Sequence, residues 1–423
     1  MSPGLESVWA GEGDKEVAVA IPQPQPQLYE RPQERAEKRR VFGLPEKGFY
    51  ILLILLIALA IGLGVDQRNA ILKFTLFHSS STFINANCRD PSGTQGSLVM
   101  YFQHHSGEIR WQQLSSQGAW LGGDVSEIVA VDAKNSTPLS AVAYAMNGTS
   151  TWHIFYIDVN NNIKQRTNSN TTNVWVDGPL NLANVTANDA DTVGMQACWY
   201  GSDYGDSDYT HTPLPSQGGN AAYPNEVGMH LWYASDDTTF QQLGWRDGDA
   251  AWTFQQSWVG YNGHAGVGCY SWGPGTVTYV MFVDLNNTVN FYWKDTNTTA
   301  TGNSTHEINK WTNTSIAINN VNPATSLGYT NYFYAQMADN DMINGYNISW
   351  AAENTSIVDA DSFTVQGEPG LSGTHLSVSA IPNTSGGNDL LVYYQTTGSD
   401  ISEYTRDLVA GQWSSVDIPI PQT

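Results

Sequence analysis

Charged residues and cysteines are both scarce in this chain of 423 residues. Asp, Glu, Lys and Arg together make up 14% of it, and 18 basic residues stand against 40 acidic ones. A net charge of −22 repels phosphate backbones, so nucleic acid is not an expected partner. No group of His, Cys and Asp shows metal-ligand spacing, and no cofactor motif is recognised, so we expect neither metal nor cofactor.

The three cysteines, Cys88, Cys198 and Cys269, permit at most one internal disulfide. Each lies in an apolar stretch, and the three stretches belong to separate repeats described below. We therefore expect small buried side chains in strands, on three different repeats and too far apart for ordinary disulfide geometry.

Aromatic and small polar residues are abundant instead. The chain has 15 Trp and 21 Tyr, and Gly, Asn, Ser and Thr fill much of the remainder. This composition is typical of strands and tight turns rather than of helices, so it predicts an all-β fold.

One uncharged apolar run, residues 49–65, interrupts the N-terminal region. It is long enough for a spanning helix, and we assign residues 48–65 to a transmembrane signal anchor. A cleaved signal peptide is the alternative, but 48 residues precede the run, which is far more than an ordinary charged leader has. Basic residues concentrate before the run, which places the N-terminus in the cytosol; they are Arg35, Lys38, Arg39, Arg40 and Lys47.

Glycosylation sequons support the same topology, because all of them follow the apolar run. They begin at Asn135, Asn147, Asn170, Asn184, Asn286, Asn297, Asn303, Asn313, Asn347, Asn354 and Asn383. We therefore predict a type II membrane glycoprotein whose C-terminal domain is lumenal or extracellular, in the secretory pathway or the plasma membrane. The tail 1–47 is rich in Pro, Gln and Glu and should be disordered, and residues 66–82 are assigned to a stalk.

Residues 83–423 contain six copies of a two-strand pattern with a return strand. The second strand of each copy alternates apolar and aromatic residues before an Asn-, Asp-, Gly- or Ser-rich turn, which is typical of hairpins. These strands are predicted at 98–103, 153–157, 229–234, 279–283, 331–336 and 390–395. The strands before them are rich in small residues and are predicted at 83–88, 139–144, 193–200, 266–272, 324–329 and 375–380.

Six units of about fifty residues, each too small to fold alone, predict a closed repeat architecture. Hairpin units with aromatic anchors favour a six-bladed β-propeller, in which the small-residue strands line the central axis. The predicted fold class is therefore an all-β, six-bladed β-propeller ectodomain with one N-terminal transmembrane helix and a disordered cytosolic tail.

A tryptophan recurs near the return strand of most copies, and it allows two interpretations. Indole faces stack on the C–H faces of sugars, so repeated Trp residues beside polar groups indicate sugar pockets between blades. Alternatively, the same residues anchor packing between blades. The candidates are Trp111, Trp120, Trp175, Trp252, Trp311 and Trp413.

The repeats resemble the Aleuria-type fucose-specific lectins of fungi. The likeness is carried by TPLSAVAY (137–144), SWGPGTVTYVMFVD (271–284), LLVYYQTTGSDISEY (390–404), and LVMYFQHHSGEIRW with the following AWLGG (98–123). It implies a six-bladed propeller with a sugar pocket between adjacent blades. Each pocket of the family uses an Arg on the second strand, a Glu twelve residues later on the return strand, and aromatic walls.

Carried onto this chain, the resemblance places no complete Arg–Glu pair in any blade. The Arg positions hold Val99, His153, His230, Tyr279, Tyr332 and Leu391, and the Glu positions hold Trp111, Gln165, Gln242, Phe291, Asn344 and Glu403. The pairs His153–Gln165 and His230–Gln242, together with Glu403 and Trp413, are the candidate sugar-binding groups, and Trp111, Trp175 and Trp252 are candidate walls. Sugar binding through these imidazoles would change between about pH 5 and 7.

The predicted function is therefore non-enzymatic binding of glycans, fucosylated or other, by a membrane glycoprotein. Two alternatives remain open. The propeller could be a protein-interaction scaffold that has lost its sugar pockets, or a glycosidase with two catalytic carboxylates, although no repeated Asp-box motif is present.

Overall fold

The computed structural model describes residues 74–78, 98–115, 118–146, 149–199, 228–246, 248–271, 277–295, 310–382, 388–408 and 411–421. The chain divides into two units, Met1–Asp66 and Gln67–Thr423, and all the described residues lie in the second. No helix within them is long and apolar enough to cross a bilayer. The tail 1–47 and the segment 48–65 lie outside the described residues, so their assignments stay predictions.

The described residues form six antiparallel sheets, which we number as blades in chain order. Blade 1 contains β1 (Phe74–His78), β2 (Leu98–Gln103), β3 (Ile109–Leu114) and β4 (Trp120–Gly122), with β5 (Ile128–Ala130) also on β3. Blade 2 contains β6 (Ser140–Met146), β7 (Thr149–Ile157), β8 (Ile163–Ser169) and β9 (Val176–Asp177). Blade 3 contains β10 (Met195–Trp199), β11 (Gly228–Asp236), β12 (Thr239–Arg246) and β13 (Thr253–Val259).

The second half repeats this plan. Blade 4 contains β14 (Gly268–Ser271), β15 (Val277–Val283), β16 (Val289–Asp295) and β17 (Thr312–Ile318). Blade 5 contains β18 (Leu327–Tyr329), β19 (Phe333–Gln336), β20 (Ile343–Tyr346) and β23 (Phe363–Thr364), with a small hairpin of β21 (Ile348–Ser349) and β22 (Ser356–Ile357) inserted. Blade 6 contains β24 (Ser377–Pro382), β25 (Asn388–Tyr394), β26 (Ser402–Asp407) and β27 (Ser414–Asp417). Short 3-10 turns cover Pro179–Ala183, Ala352–Asn354 and Asp359–Asp361.

The first strands of the blades contact one another in a closed ring. In order, β1 contacts β6, and the contacts continue through β10, β14, β18 and β24 back to β1. The C-terminal segment also returns to blade 1, where the carbonyl of Pro421 lies 2.8 Å from Nε2 of His104. The chain is therefore a six-bladed β-propeller with the first strand of each blade innermost, as the repeat pattern predicts.

The second strands are buried on both faces because each blade packs between two others. All six residues of β2, LVMYFQ, are buried, and β25 and β15 are almost as fully covered. Aromatic side chains fill the space between blades, which explains why these strands are near-continuous apolar runs rather than alternating ones.

A threonine before the inner strand attaches that strand to the end of the second strand in three blades. Its Oγ1 accepts a hydrogen bond from a backbone N–H at 2.6–3.0 Å, in the pairs Ile157–Thr137, Gln336–Thr325 and Gln395–Thr374. All three threonines are buried. A buried backbone N–H needs a hydrogen-bond acceptor, so this hydroxyl fixes the position at which the chain begins the inner strand.

The inner strand of blade 1 differs from the predicted one. Strand β1, Phe74–His78, pairs antiparallel with β2 over its whole length. It lies inside the segment predicted to be a stalk, so that assignment of residues 66–82 is wrong at 74–78. The predicted inner strand, residues 83–88 with Cys88, lies outside the described residues. The long connection between β1 and β2 breaks the spacing that the other blades follow.

The expectation of unpaired cysteines is also wrong for two of the three. Cys198 on β10 and Cys269 on β14 form a disulfide that joins the inner strands of blades 3 and 4. The two residues lie on different blades, as predicted, but inner strands converge on the axis. Their Cα atoms are 6.1 Å apart, which is within disulfide range.

Candidate functional site

The residues at the two family positions face the following blade, except in blade 5, where Tyr332 does so and Asn344 faces blade 4. The following blade contributes a tryptophan to each cleft. This tryptophan lies before or at the start of the fourth strand in five blades, and in blade 5 it is Trp350, between β21 and β22. Between blades 2 and 3, for example, the ring of His153 lies 5.6 Å from that of Trp245, and Nε1 of Trp252 donates to Oε1 of Gln165 at 3.1 Å. Each cleft can therefore be examined for a sugar pocket.

The cleft between blades 2 and 3 is closed. Nε2 of Gln165 lies 3.0 Å from Nδ1 of His153, so the two candidate sugar-binding groups are within hydrogen-bond distance of each other. Both side chains are buried, as is Trp252, and Tyr144 stacks on the imidazole at 5.3 Å. The tryptophan indole occupies the position where a sugar hydroxyl would bind the glutamine, so this pair stabilises the packing of the two blades.

The cleft between blades 3 and 4 contains the same His–Gln pair, but the tryptophan that bonds its glutamine is Trp258, on β13 of blade 3 itself. Nε2 of Gln242 lies 3.3 Å from Nδ1 of His230, and Nε1 of Trp258 donates to Oε1 of Gln242 at 3.1 Å. Blade 4 supplies Lys294, whose Nζ lies 4.9 Å from the ring centre of Trp311. Burial lowers the pKa of Lys294 to about 7, and no hydrogen-bond partner for its ammonium lies among the described residues.

Burial of both histidines disfavours the pH response that was predicted for them between pH 5 and 7. Burial lowers the pKa of His153 to about 3. Burial and then the charge of Lys294 lower the pKa of His230 well below its ordinary value. The imidazole of His153 is therefore neutral from pH 5 to 7, and the same burial disfavours the charged form of His230, because the closed clefts remove the water that would stabilise it.

Two further clefts are walled by apolar and aromatic side chains. Between blades 1 and 2, the half-buried Trp111 and Trp175 pack on the apolar cluster that contains Val99, and Trp175 lies edge-on to Tyr101 at 5.9 Å. Between blades 4 and 5, Trp350 lies 4.6 Å from Tyr279. The Tyr279 hydroxyl accepts the N–H of Ala352 at 2.8 Å. The Arg and Glu positions of both clefts lack charge.

The cleft between blades 5 and 6 is open and contains a cation. The guanidinium of Arg406 lies 4.6 Å from the ring centre of Phe363 and 5.8 Å from that of Trp413. Tyr332, at the Arg position, lies 4.8 Å from Phe363. All four side chains are half-buried, so aromatic faces and a guanidinium meet at the surface. Asn344, at the Glu position, does not face this cleft. It pairs with Ala335 of β19 and bonds Tyr346, and both of these residues pack in the cluster toward blade 4.

The predicted half-site of Glu403 and Trp413 is not assembled. The hydroxyl of Tyr393 donates to Oε2 of Glu403 at 2.8 Å, and Tyr393 lies 6.3 Å from Trp120 of blade 1. Trp413 instead packs on the cluster between blades 5 and 6. The two residues lie on opposite faces of blade 6, because side chains alternate along β26 and Arg406, not Glu403, faces Trp413.

A small polar pocket lies at one end of the axis, separate from the clefts. It is formed by residues before or within the inner strands of blades 2 to 6, among them Thr192, His264, Ser326 and His375. The ring of His264 is held by the carbonyl of Thr192 at 3.0 Å and by Asp237 at 3.3 Å. The pocket lining contains no Asp, Glu, Lys or Arg, so it offers a ligand less binding energy than the cleft with Arg406.

Seven of the predicted sequons lie among the described residues. Five of their asparagines are exposed, namely Asn135, Asn184, Asn286, Asn313 and Asn354. The other two, Asn170 and Asn347, are half-buried. Asn147, Asn297, Asn303 and Asn383 lie outside the described residues. Among the described His, Cys, Asp and Glu residues, none form a group that could hold a metal ion.

No protein-family model and no curated protein matches this chain. Among solved structures, Aleuria aurantia lectin in complex with α-methyl-L-fucoside is similar, with a TM-score of 0.59 and 16% identity over 83% of this chain and 96% of that one. SapL1 lectin in complex with α-methyl fucoside has a TM-score of 0.53 and 18% identity over 84% and 99%. AofleA from Arthrobotrys oligospora has a TM-score of 0.53 and 11% identity over 82% of this chain and 90% of that one.

These similarities show the fold. Aleuria aurantia lectin is described as a six-bladed β-propeller with a fucose recognition mode of its own. The predicted resemblance is therefore confirmed for architecture. At these identities it does not extend to ligand or location.

Proposed function

We propose that the propeller binds glycans in clefts between blades, chiefly in the cleft between blades 5 and 6. The observation that carries the proposal is the half-buried group of Tyr332, Phe363, Arg406 and Trp413. Aromatic faces stack on sugar C–H groups, and a guanidinium binds sugar oxygens. The lectins of similar fold, two of them in complex with fucosides, support this assignment.

The activity is proposed to be non-enzymatic. A glycosidase of the ordinary kind needs two carboxylates that flank one bond. Of the twelve positions carried over from the family, Glu403 alone is acidic, and its Oε2 is already bonded by Tyr393.

The closed clefts favour a second candidate, a protein-interaction scaffold. Trp252 and Trp258 take up the hydrogen-bonding capacity of Gln165 and Gln242, so two of the six clefts are used for packing alone. Loss of all sugar binding would leave a rigid ring whose outer faces are available to protein partners.

The membrane placement is proposed on separate grounds. Basic residues precede the apolar run 49–65, and every sequon follows it. The disulfide between Cys198 and Cys269 is expected in an oxidising compartment. These features support a cytosolic N-terminus and a glycosylated propeller in the lumen or outside the cell.

A glycan array probed with the full-length chain in detergent tests the function. Binding should occur, and its affinity should fall about tenfold in Trp413→Ala. Stacking of a ligand on an aromatic side chain contributes on the order of 1–3 kcal/mol, and this variant removes the aromatic face. The control is Trp175→Ala, which alters a different cleft. A chain that keeps its fold and retains no glycan at multivalent density would replace the lectin proposal with the scaffold.

A further inference from the structure

Cations enter two of the clefts from the side opposite to the family's arginine. Lys294 and Arg406 each follow the Glu position of their own blade, Phe291 and Glu403, by three residues. Each faces the preceding blade and lies over the tryptophan before the fourth strand. The positive charge has therefore moved from the second strand of one blade to the third strand of the next.

No carboxylate accompanies the charge of Arg406. The other three arginines of the described residues are each paired with an acid, in Arg110–Glu108, Arg166–Asp177 and Arg246–Asp249. Arg406 has no acidic partner among the described residues, and its Nε donates to the backbone carbonyl of Asp407 at 3.3 Å. The Glu position of blade 5, the neutral Asn344, lies on the opposite face of its blade. In a chain with 40 acidic and 18 basic residues, this cleft is locally positive.

A second donor in the same cleft also lacks an acceptor. The hydroxyl of Tyr334 is buried without a hydrogen-bond partner, and its ring lies 6.1 Å from that of Phe363. Tyr334 and Tyr332 lie on the same face of the chain, toward blade 6. A buried hydroxyl without a partner is destabilising, so the cleft is organised to receive an acceptor group.

We infer that the glycan held between blades 5 and 6 carries a carboxylate, as uronic and sialic acid residues do. The planar guanidinium of Arg406 can donate two parallel N–H hydrogen bonds to the two oxygens of a carboxylate. Its stacking on Phe363 and Trp413 fixes the orientation of these two donors. This inference rests on the proposed function and deepens it, because a neutral sugar would leave the guanidinium without a charged partner.

Pairs of ligands that differ in the presence of a free carboxylate measure its contribution to binding. The full-length chain in detergent is titrated with oligogalacturonate and its methyl ester, and with sialyllactose and lactose, at low and high salt. We expect about 10- to 100-fold tighter binding of one acidic ligand than of its neutral counterpart, since hydrogen bonds to charged groups contribute roughly twice as much as neutral ones. High salt should reduce the difference.

Variants assign the preference to one side chain. Arg406→Gln should abolish the preference for the acidic ligand. Arg406→Lys should keep part of this preference, because the positive charge remains but the two parallel N–H donors of the guanidinium are lost. The control Lys134→Gln removes a positive charge that pairs with Asp189 at 3.0 Å outside the clefts, and it should leave the preference unchanged. Unfolding temperatures of all variants verify the fold.

The outcomes distinguish this inference from the function on which it rests. Equal binding of acidic and neutral ligands would refute the inference that Arg406 binds a carboxylate, and so would an acidic preference that survives in Arg406→Gln. Either result would leave the proposal of glycan binding in place. Absence of binding to every ligand by the folded wild-type chain would overturn both. If only one acidic pair shows the preference, that pair identifies the sugar as uronic or sialic acid.

Discussion

Replacing Lys294 with methionine should make the protein more stable. The side chain is 1% exposed, and the ring of Trp311, at 4.9 Å, is the partner of its ammonium. No hydrogen-bond acceptor for Nζ lies among the described residues. Methionine keeps a long flexible stem in the same space and removes the charge. Buried charges without partners are among the costliest groups in a fold.

The size of the effect follows from the pKa. Burial lowers the pKa of Lys294 from 10.5 to about 7. At about 1.4 kcal/mol for each pKa unit, the charged form loses about 5 kcal/mol on folding. A cation over an indole face offsets about 2 kcal/mol of this. Lys294→Met should therefore raise the free energy of unfolding by about 3 kcal/mol at or below pH 7.

The pH dependence provides a second, independent signature. Between pH 7 and 10.5 the unfolded chain holds the proton of Lys294 and the folded chain has released it, so wild-type stability rises with pH in this window. Below pH 7 both states are protonated and the destabilisation is complete. Lys294→Met has no such slope, so the difference between the two proteins should narrow as pH rises.

Urea unfolding at pH 7, 8 and 9 measures both quantities, with Lys134→Met as the control. Lys134 is half-buried and paired with Asp189, so its replacement should neither stabilise the protein nor change the slope. A Lys294→Met protein that is no more stable than wild type at pH 7 would show that the cation–indole contact outweighs burial. A difference that stays constant with pH would refute the assigned titration.

Other predictions follow from the disulfide, the histidine, the sequons and the topology. Cys198→Ala should lower the free energy of unfolding by about 4 kcal/mol, because the bridge closes a loop with a sequence separation of 71 residues; Cys269→Ala should cost the same, and the double variant no more. Wild-type stability should fall by about 2 kcal/mol between pH 6.5 and 4.5, since His153 must stay neutral when folded, and a smaller fall is expected in His153→Gln. Removal of N-glycans should shift the gel mobility strongly, and an unshifted band would exclude glycosylation. Protease outside sealed lumen-in vesicles should remove only the tail, and digestion of the propeller would reverse the orientation.

The sequence predicted the architecture because strand pattern and repeat number are local properties. All six second strands lie where alternation of apolar and aromatic residues places them, and five inner strands match in position. Blade 1 failed because FTLFH (74–78) adjoins the apolar membrane run, where it resembles a stalk, and because two apolar segments compete for one place in the sheet. Pairing with β2 decides between them, and that pairing is a tertiary property.

The contents of the clefts were harder to predict because they depend on two blades at once. The pairs His153–Gln165 and His230–Gln242 could be predicted, since both partners lie on one hairpin. Their closure could not, because Trp252 and Lys294 come from the next blade. The separation of Glu403 from Trp413 could not be read from parity along β26 alone, because Trp413 lies outside that strand. It required the register of β26 against β27, which sequence spacing alone does not fix.

Lysine and arginine at the same position explain why one cleft is closed and the other open. A buried lysine can release its proton, and with a pKa near 7 Lys294 avoids much of the cost of a charge between blades 3 and 4. Arginine stays charged at every physiological pH, so a cleft that contains Arg406 cannot close over it without an anion. The guanidinium accordingly remains half-buried between Phe363 and Trp413. It follows that closure of blades 5 and 6 around a ligand is favourable only if the ligand brings the negative charge that this part of the chain does not supply.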